Sequence, residues 1–168
     1  MKTALGGLAI TLALSQSGFA QEPLPAAKGE IILRITGDIT NENAPDAAAF
    51  DREMLERVGT LTVTTSTAWT DGKHEFTGVL VREVLERVGA DKKTAARASA
   101  LNDYSIEIPI ADFQKYDVIL AWRMDGKDLT ARDKGPLWIV YPRDHFRELQ
   151  DERNDQRWVW QLNRLNIK

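Results

Sequence analysis

The segment Thr62–Trp69 (TVTTSTAW) carries a dense set of side chains that can hold a ligand. Thr65 and Thr67 alternate along a predicted strand, so they share one face, where their hydroxyls can donate hydrogen bonds. Trp69 follows them and can offer a flat stacking surface. Two other interpretations stay open, since β-propensity alone explains threonines in a strand and a tryptophan here can simply fill the core. The segment is therefore a candidate ligand-binding stretch.

Few residues in the chain can support catalysis or metal binding. The sequence has no cysteine, which excludes disulfides, thiol nucleophiles, cysteine zinc sites and iron–sulfur clusters. Only His74 and His145 supply imidazole, so a histidine-rich metal site is not expected. Ser66 has no His or Asp partner that the sequence itself identifies. We therefore predict no catalytic and no metal-binding residues.

The N-terminal twenty residues have the features of an export signal. Lys2 provides a positive start, Ala4–Leu14 is a short apolar run, and Gly18–Ala20 is a small-x-small cleavage site. We predict a cleaved signal peptide at 1–20 and a periplasmic location. The polar, proline-marked stretch 21–28 is predicted to be a flexible lead-in.

The remaining composition indicates one exported domain, residues 29–168. A chain of 168 residues can bury a core of its own. The formal net charge is −3, and charges of both signs are interspersed, which argues against nucleic acid and anionic membranes as partners.

Hydrophobic periodicity predicts an α+β domain with several strands and two helices. One helix is predicted to begin at Pro45-Asp46, with Asp46 as its cap, and to end at Gly59. The other is predicted to begin at Thr77 or Gly78 and to end at Gly89. Trp69–Glu75 is predicted to be a polar loop, and Asp144–Asn154 a short helix or loop. The predicted strands are Gly29–Thr36, Thr60–Thr67, Tyr104–Ile110, Asp117–Met124, Leu137–Tyr141 and Trp158–Ile167, with a hairpin at Asp125-Gly126.

Several short motifs follow one another in an order typical of one family. They are FTG (Phe76–Gly78) before a helix, NDY (Asn102–Tyr104), LAWRMDGKDL, DKGPLWIVYP (Asp133–Pro142) and QRWVWQLNRLNI. In this order the chain resembles the oxidoreductase molybdopterin-binding domain. The resemblance implies a sulfite oxidase molybdopterin-binding fold, with a single mixed β-sheet or barrel-like domain and short helices.

The chain also departs from that family where the metal would be bound. Thr65, or its neighbour Ser66, stands at the position of the family's molybdenum-binding cysteine, and a hydroxyl is a poor ligand for molybdenum. Leu137 and Trp138 follow Pro136 where the family has an arginine. The resemblance therefore implies a pterin-type pocket in which molybdenum is not expected.

A small exported branch of the fold, without the cysteine, is more similar still. This likeness implies a protein that binds a pterin, either a reduced pterin or a molybdopterin-like one. It also implies docking on the periplasmic domain of a membrane sensor, such as a cyclic-di-GMP enzyme or a histidine kinase.

A pterin needs a flat surface for its ring and an acceptor for its edge of N–H donors. Trp69 is the candidate surface, and Asp103 or Asn102 the candidate acceptor, although both also suit an Asx turn. Arg123 can stack on a ring or form a surface ion pair, and Trp138 can line the pocket or the core. The predicted ligand-binding residues are Thr65, Thr67, Trp69, Asn102, Asp103, Tyr104, Arg123, Lys134, Gly135 and Trp138.

Three functions follow from these features. The first is a non-catalytic pterin-binding protein that regulates a membrane signalling partner. The second is a molybdopterin-dependent oxidoreductase with atypical metal ligation, against which the missing thiolate weighs. The third is an interaction protein whose pocket stays empty.

Overall fold

The computed structural model describes residues 22–168, which form two β-sheets and a few short helices. The strands are β1 (Leu33–Gly37), β2 (Ala48–Phe50), β3 (Leu61–Thr67), β4 (Thr70–Leu80), β5 (Ala95–Ala100), β6 (Ser105–Pro109), β7 (Ile119–Met124), β8 (Lys127–Asp128), β9 (Trp138–Val140) and β10 (Leu162–Ile167). The helices are α1 (Arg52–Val58), α2 (Val81–Arg87) and α3 (Ile110–Lys115), with 3₁₀ segments at Arg143–His145, Arg147–Gln150 and Glu152–Arg157. The predicted α+β class with short helices is confirmed.

The first sheet has the strand order β2-β1-β10-β5-β6, and the second runs β3-β4-β7-β8 with β9 paired to β7. In the first sheet β1 and β10 are parallel, and the other pairs are antiparallel. The pairs of the second sheet are all antiparallel. Within residues 22–168 neither sheet closes into a barrel. Where the sequence predicted a single mixed sheet or a barrel-like domain, the structure has two open sheets.

One stretch of chain joins the two sheets. Leu137, just before β9, forms a bridge with Leu162 at the start of β10, and the Ile139 N–H donates to the Val159 carbonyl at 2.9 Å. Large side chains, including Phe50, Phe113, Trp122 and Trp138, are fully buried in the core. Their apolar surface is the main stabilising contribution to this cysteine-free fold.

Both predicted helices begin later in the chain than the sequence indicated. Asp46 does not cap α1 and has a positive φ of 51°. Asp51 is the cap instead, because its side chain accepts a hydrogen bond from the Met54 N–H at 2.9 Å. The hydrogen bonds that it accepts from backbone N–H groups, above all that of Gly29, lower the pKa of Asp51.

The predicted loop Trp69–Glu75 is wrong, because Thr70–Glu75 is the first half of β4. Strand β4 pairs with β3 in a long hairpin, with Val63 opposite Phe76. Gly78 lies inside this strand and does not start a helix. A Cβ there would lie 2.2 Å from the Leu120 carbonyl oxygen, so only glycine allows β4 and β7 to approach so closely.

Three elements were not predicted. Strand β2 lies inside the segment that was predicted to be the first helix. Strand β5 is rich in alanine, and α3 follows β6 directly, with six residues. The predicted strand Tyr104–Ile110 is confirmed as β6, an edge strand whose last residue is Pro109. The predicted hairpin at Asp125-Gly126 is also confirmed, with positive φ at both residues.

The predicted signal peptide lies outside the described residues. In the lead-in that follows, Leu24 is buried, and the Asn41 and Asn43 side chains donate to the backbone carbonyls of Glu22 and Pro25. The flexibility of this lead-in stays a prediction. Within residues 22–168 no helix combines the length and the apolar character needed to cross a membrane.

Candidate functional site

An aromatic cavity of about 250 Å³ lies where two hairpin turns meet a third piece of chain. Trp69 comes from the β3–β4 turn, and Asn102 and Tyr104 come from the β5–β6 turn. The third piece, residues 155–160, is called the closing segment below. The lining residues are Trp69, Ala100, Asn102, Tyr104, Asp155, Gln156, Trp158, Val159 and Trp160.

The β3–β4 turn holds Trp69 through the side chain of Thr67. The Thr67 hydroxyl oxygen accepts a hydrogen bond from the Trp69 N–H at 3.0 Å and lies 2.8 Å from the Thr70 hydroxyl. Thr67 is buried, so these contacts are shielded from water. Thr67 therefore positions Trp69 and does not itself line the cavity.

Four tryptophans pack around this turn. The Trp69 ring lies 5.2 Å from that of Trp160, 6.0 Å from that of Trp158 and 6.5 Å from that of Trp138, measured between ring centroids. Trp138 is fully buried and lies behind the cavity, against Phe76. Edge-on and tilted contacts of this kind make a rigid apolar wall.

The β5–β6 turn places Asn102 and Tyr104 at the opposite side. The Asn102 side-chain oxygen accepts a hydrogen bond from the Tyr104 N–H at 3.1 Å, which is the Asx turn that the sequence left open. The Tyr104 hydroxyl donates to the Gln156 carbonyl at 2.8 Å. Asp103, at the tip with a φ of 64°, is exposed and does not line the cavity.

The closing segment is anchored to the rest of the domain by several hydrogen bonds, including that from the Ile139 N–H to the Val159 carbonyl. Besides the Tyr104 contact, the adjacent Arg157 donates to Asp112 of α3 at 2.6 Å. The Tyr141 hydroxyl also donates to Asp112, at 3.0 Å. Burial, together with the negative charge of Asp112, raises the pKa of Tyr141, so this hydroxyl stays a donor.

Asp155 was not predicted as a ligand residue, although it is the cavity's only carboxylate among the described lining residues. It lies in a strongly charged stretch, which the sequence indicates to be a solvated face or a docking rim for a partner protein. In the structure only 15% of its side chain is exposed, and burial raises the pKa of its carboxyl. Its Oδ1 is buried without a hydrogen-bond partner.

Thr65 lies away from the cavity, in a polar cluster beside β3. It is fully buried, and its hydroxyl oxygen accepts a hydrogen bond from the Asp144 N–H at 3.2 Å. Asp144 in turn accepts from the Ser66 hydroxyl at 2.6 Å and lies 3.2 Å from the Lys73 ammonium. Burial opposes ionisation of Asp144, but these bonds outweigh it and lower its pKa.

Three further predicted ligand residues also lie outside the cavity lining. Arg123 forms an ion pair with Asp128 at 3.0 Å, the alternative that the sequence left open. Gly135 is buried, and a Cβ there would lie 2.5 Å from the Leu129 carbonyl oxygen. The Lys134 ammonium lies 5.6 Å from the ring centroid of Trp138, within range of a cation–π contact.

A larger cleft of about 430 Å³ lies between the lead-in and α1. It contains none of the predicted ligand residues and no tryptophan. The smaller cavity is the better candidate site, because it combines aromatic surface with a few convergent polar groups.

Two comparisons place the domain among known proteins. The solved sulfane dehydrogenase SoxCD from Paracoccus pantotrophus is similar with a TM-score of 0.58 and 21% sequence identity, over 80% of this chain and 37% of that one. The chain thus spans little more than a third of the length of that structure, and the likeness confirms the predicted sulfite oxidase fold. No curated protein sequence gives a match. The family model "Oxidoreductase molybdopterin binding domain" matches residues 46–146, more than half of the chain. The chain therefore belongs to the oxidoreductase molybdopterin-binding domain family.

Proposed function

We propose that this chain is a periplasmic, non-catalytic pterin-binding protein of the small exported branch that lacks the metal-binding cysteine. The observation that carries the proposal is the aromatic cavity in a molybdopterin-binding fold. Trp69, Trp158 and Trp160 line it, and a flat pterin ring can stack on their surfaces.

The cavity residues fit a pterin ring without a charged tail. Among the described lining residues there is one carboxylate and no lysine or arginine. A phosphate-bearing molybdopterin would therefore meet no cation in the cavity itself. The lining therefore favours a reduced pterin over a molybdopterin-like one.

The residues at the family's metal position fit molybdenum poorly. Thr65 offers a hydroxyl in place of a thiolate, and this hydroxyl accepts from the Asp144 N–H and donates to the Ser66 carbonyl at 3.3 Å. Among residues 22–168 no three His, Asp or Glu side chains approach closely enough to hold a metal ion. These donors do not replace the soft ligand that the redox centre requires.

The partner in this proposal is the periplasmic domain of a membrane sensor, a cyclic-di-GMP enzyme or a histidine kinase. Its support is the resemblance together with the predicted export signal in residues 1–20. Bound and free forms of the protein would present different surfaces to that partner, because the cavity lies at exposed hairpin turns.

The test starts from protein purified from its native periplasm. The protein is denatured, and the released small molecules are identified by mass spectrometry and fluorescence, alongside elemental analysis for molybdenum. A pterin without molybdenum is the expected result. Molybdenum in equal amount to protein would overturn it and favour the alternative, an oxidoreductase with atypical metal ligation.

Binding is then measured directly with protein refolded free of ligand. Oxidised, dihydro and tetrahydro forms of pterin are titrated by calorimetry. Absence of binding in all three forms would favour an interaction protein whose cavity stays empty.

A further inference from the structure

We infer that Asp155 selects the ligand, by accepting hydrogen bonds from the edge of a heterocycle that carries an amino group beside a ring N–H. This inference rests on the proposed function, since it assigns a recognition role within the same cavity. It also replaces Asp103, the acceptor expected from the sequence, by a residue beyond the 46–146 span that the family model matches.

The position of Asp155 is suited to this role. It lies in the Glu152–Arg157 segment, next to the aromatic residues Trp158 and Trp160 that line the same cavity. A ring stacked on these tryptophans would present its edge to the carboxylate. The hydrogen bonds of the segment to the Tyr104 hydroxyl, to Asp112 and to the Ile139 N–H hold this geometry in place.

The Asp155 carboxylate has no hydrogen-bond donor among the described residues. The nearest cation is Arg143, whose Nη2 lies 3.9 Å from Oδ1, too far for a hydrogen bond. The Nε of Arg143 is also buried without a partner. By contrast, the nearby Asp112 accepts from both Arg157 and Tyr141.

A largely buried carboxylate without a hydrogen-bond donor is unfavourable, and donors supplied by a ligand would stabilise its charge. Because Oδ1 is buried and lies towards Arg143, the donors of a ligand would reach the other carboxylate oxygen, Oδ2. Asn102 is a poorer acceptor, because its side-chain oxygen already accepts from the Tyr104 N–H. Asp155 is therefore the side chain that can accept hydrogen bonds from the N–H donors along the edge of the ligand ring.

The chemistry of the carboxylate also predicts what the cavity rejects. A pterin has an amino group at position 2, next to a ring N–H, and offers donors to the carboxylate. Lumazine has the same two fused rings but an oxygen in place of that amino group. Its oxygen would face the carboxylate, and two acceptors repel each other.

The test compares pterin with lumazine by calorimetry, both in the oxidised form, on the wild-type chain and on Asp155→Asn. Wild type is expected to bind pterin about tenfold to a hundredfold more tightly than lumazine, as for one charge-assisted hydrogen bond. Asp155→Asn is expected to lose most of that preference. Glu152→Gln, which removes the same charge from the same segment outside the cavity, is the matched control and is expected to keep it.

Each result decides something different. A wild-type chain that binds both compounds equally overturns the inference without any mutation, as does an Asp155→Asn variant that keeps the preference. A wild-type chain that binds neither compound, nor any reduced pterin, overturns the proposed function itself. If Asp155→Asn does not fold, the wild-type comparison alone still decides the question.

Discussion

Replacing Trp69 by alanine removes the central aromatic surface of the cavity. Stacking of a flat base on one aromatic side chain contributes about 1–3 kcal/mol by alanine substitution. The expected loss of pterin affinity is therefore about fivefold to 150-fold. Trp69→Phe retains a smaller ring and is expected to lose less.

The same substitution also lowers the free energy of unfolding. The ring contacts that are lost give the size of this effect. Trp69 contacts three other tryptophans, and each aromatic pair contributes about 0.5–1.5 kcal/mol. The sum for the three pairs is about 1.5–4.5 kcal/mol, which corresponds to a fall in Tm of about 3–18 °C. Since a domain is typically stable by about 5–15 kcal/mol, the variant should remain folded at 25 °C.

Calorimetric titration with pterin and thermal unfolding by circular dichroism measure the two effects on the same sample. Trp122→Phe is the control, because Trp122 is fully buried, lies outside the cavity and packs under Arg52. It should lower Tm and leave the affinity unchanged. If Trp69→Ala lowers Tm but binds pterin as tightly as wild type, Trp69 does not belong to the site.

Three smaller predictions test the surroundings of the cavity. Tyr104→Phe removes a hydroxyl that holds the closing segment, so the free energy of unfolding should fall by about 0.5–1.5 kcal/mol. Calorimetry should show that pterin binds several-fold more weakly. An unchanged affinity would show that this bond does not shape the cavity. Gly78→Ala places a Cβ 2.2 Å from a carbonyl oxygen of β7, so urea unfolding should show a loss of about 1–3 kcal/mol, whereas Gly29→Ala, with only ordinary contacts, should be tolerated. The hydrogen bond from His74 to Asp125 at 2.6 Å raises the pKa of His74, so the stability it contributes is full below about pH 6.5 and is lost as pH rises through the raised value. His74→Gln should therefore destabilise the protein more at pH 6 than at pH 9, and an equal loss at both would contradict this.

Local chain chemistry was enough to predict the strands that are apolar and β-branched. The cores of β3, β7 and β9 were predicted because valine, isoleucine and threonine suit a half-buried pleated surface. The first half of β4 was missed because Thr70–Glu75 is polar. Its strand conformation depends on pairing with β3, which the local sequence does not reveal. Strand β5 was missed because alanine has no strand preference, although Ala96 and Ala98 are fully buried.

The candidate site was predicted in part. Trp69, Asn102 and Tyr104 were predicted as ligand residues and line one cavity, although they lie on different sheets. Asp155 was missed, because its neighbours in sequence are charged and its burial comes from residues far away in the chain. An acidic residue close to a tryptophan pair, as in DQRWVW, is the one sequence signal that pointed to it.

The cavity is built mainly from turns and a connecting segment. The residues that determine which ligand binds are therefore largely distinct from those that stabilise the sheets. The strands keep their hydrogen-bonded register and their core side chains whichever residues occupy the turn tips. Substitutions at Asn102, Asp155 or Gln156 can thus change what the pocket accepts with little effect on the sheets beneath. One scaffold can in this way diversify its ligands by point mutation, and relatives with the same two sheets need not share a ligand.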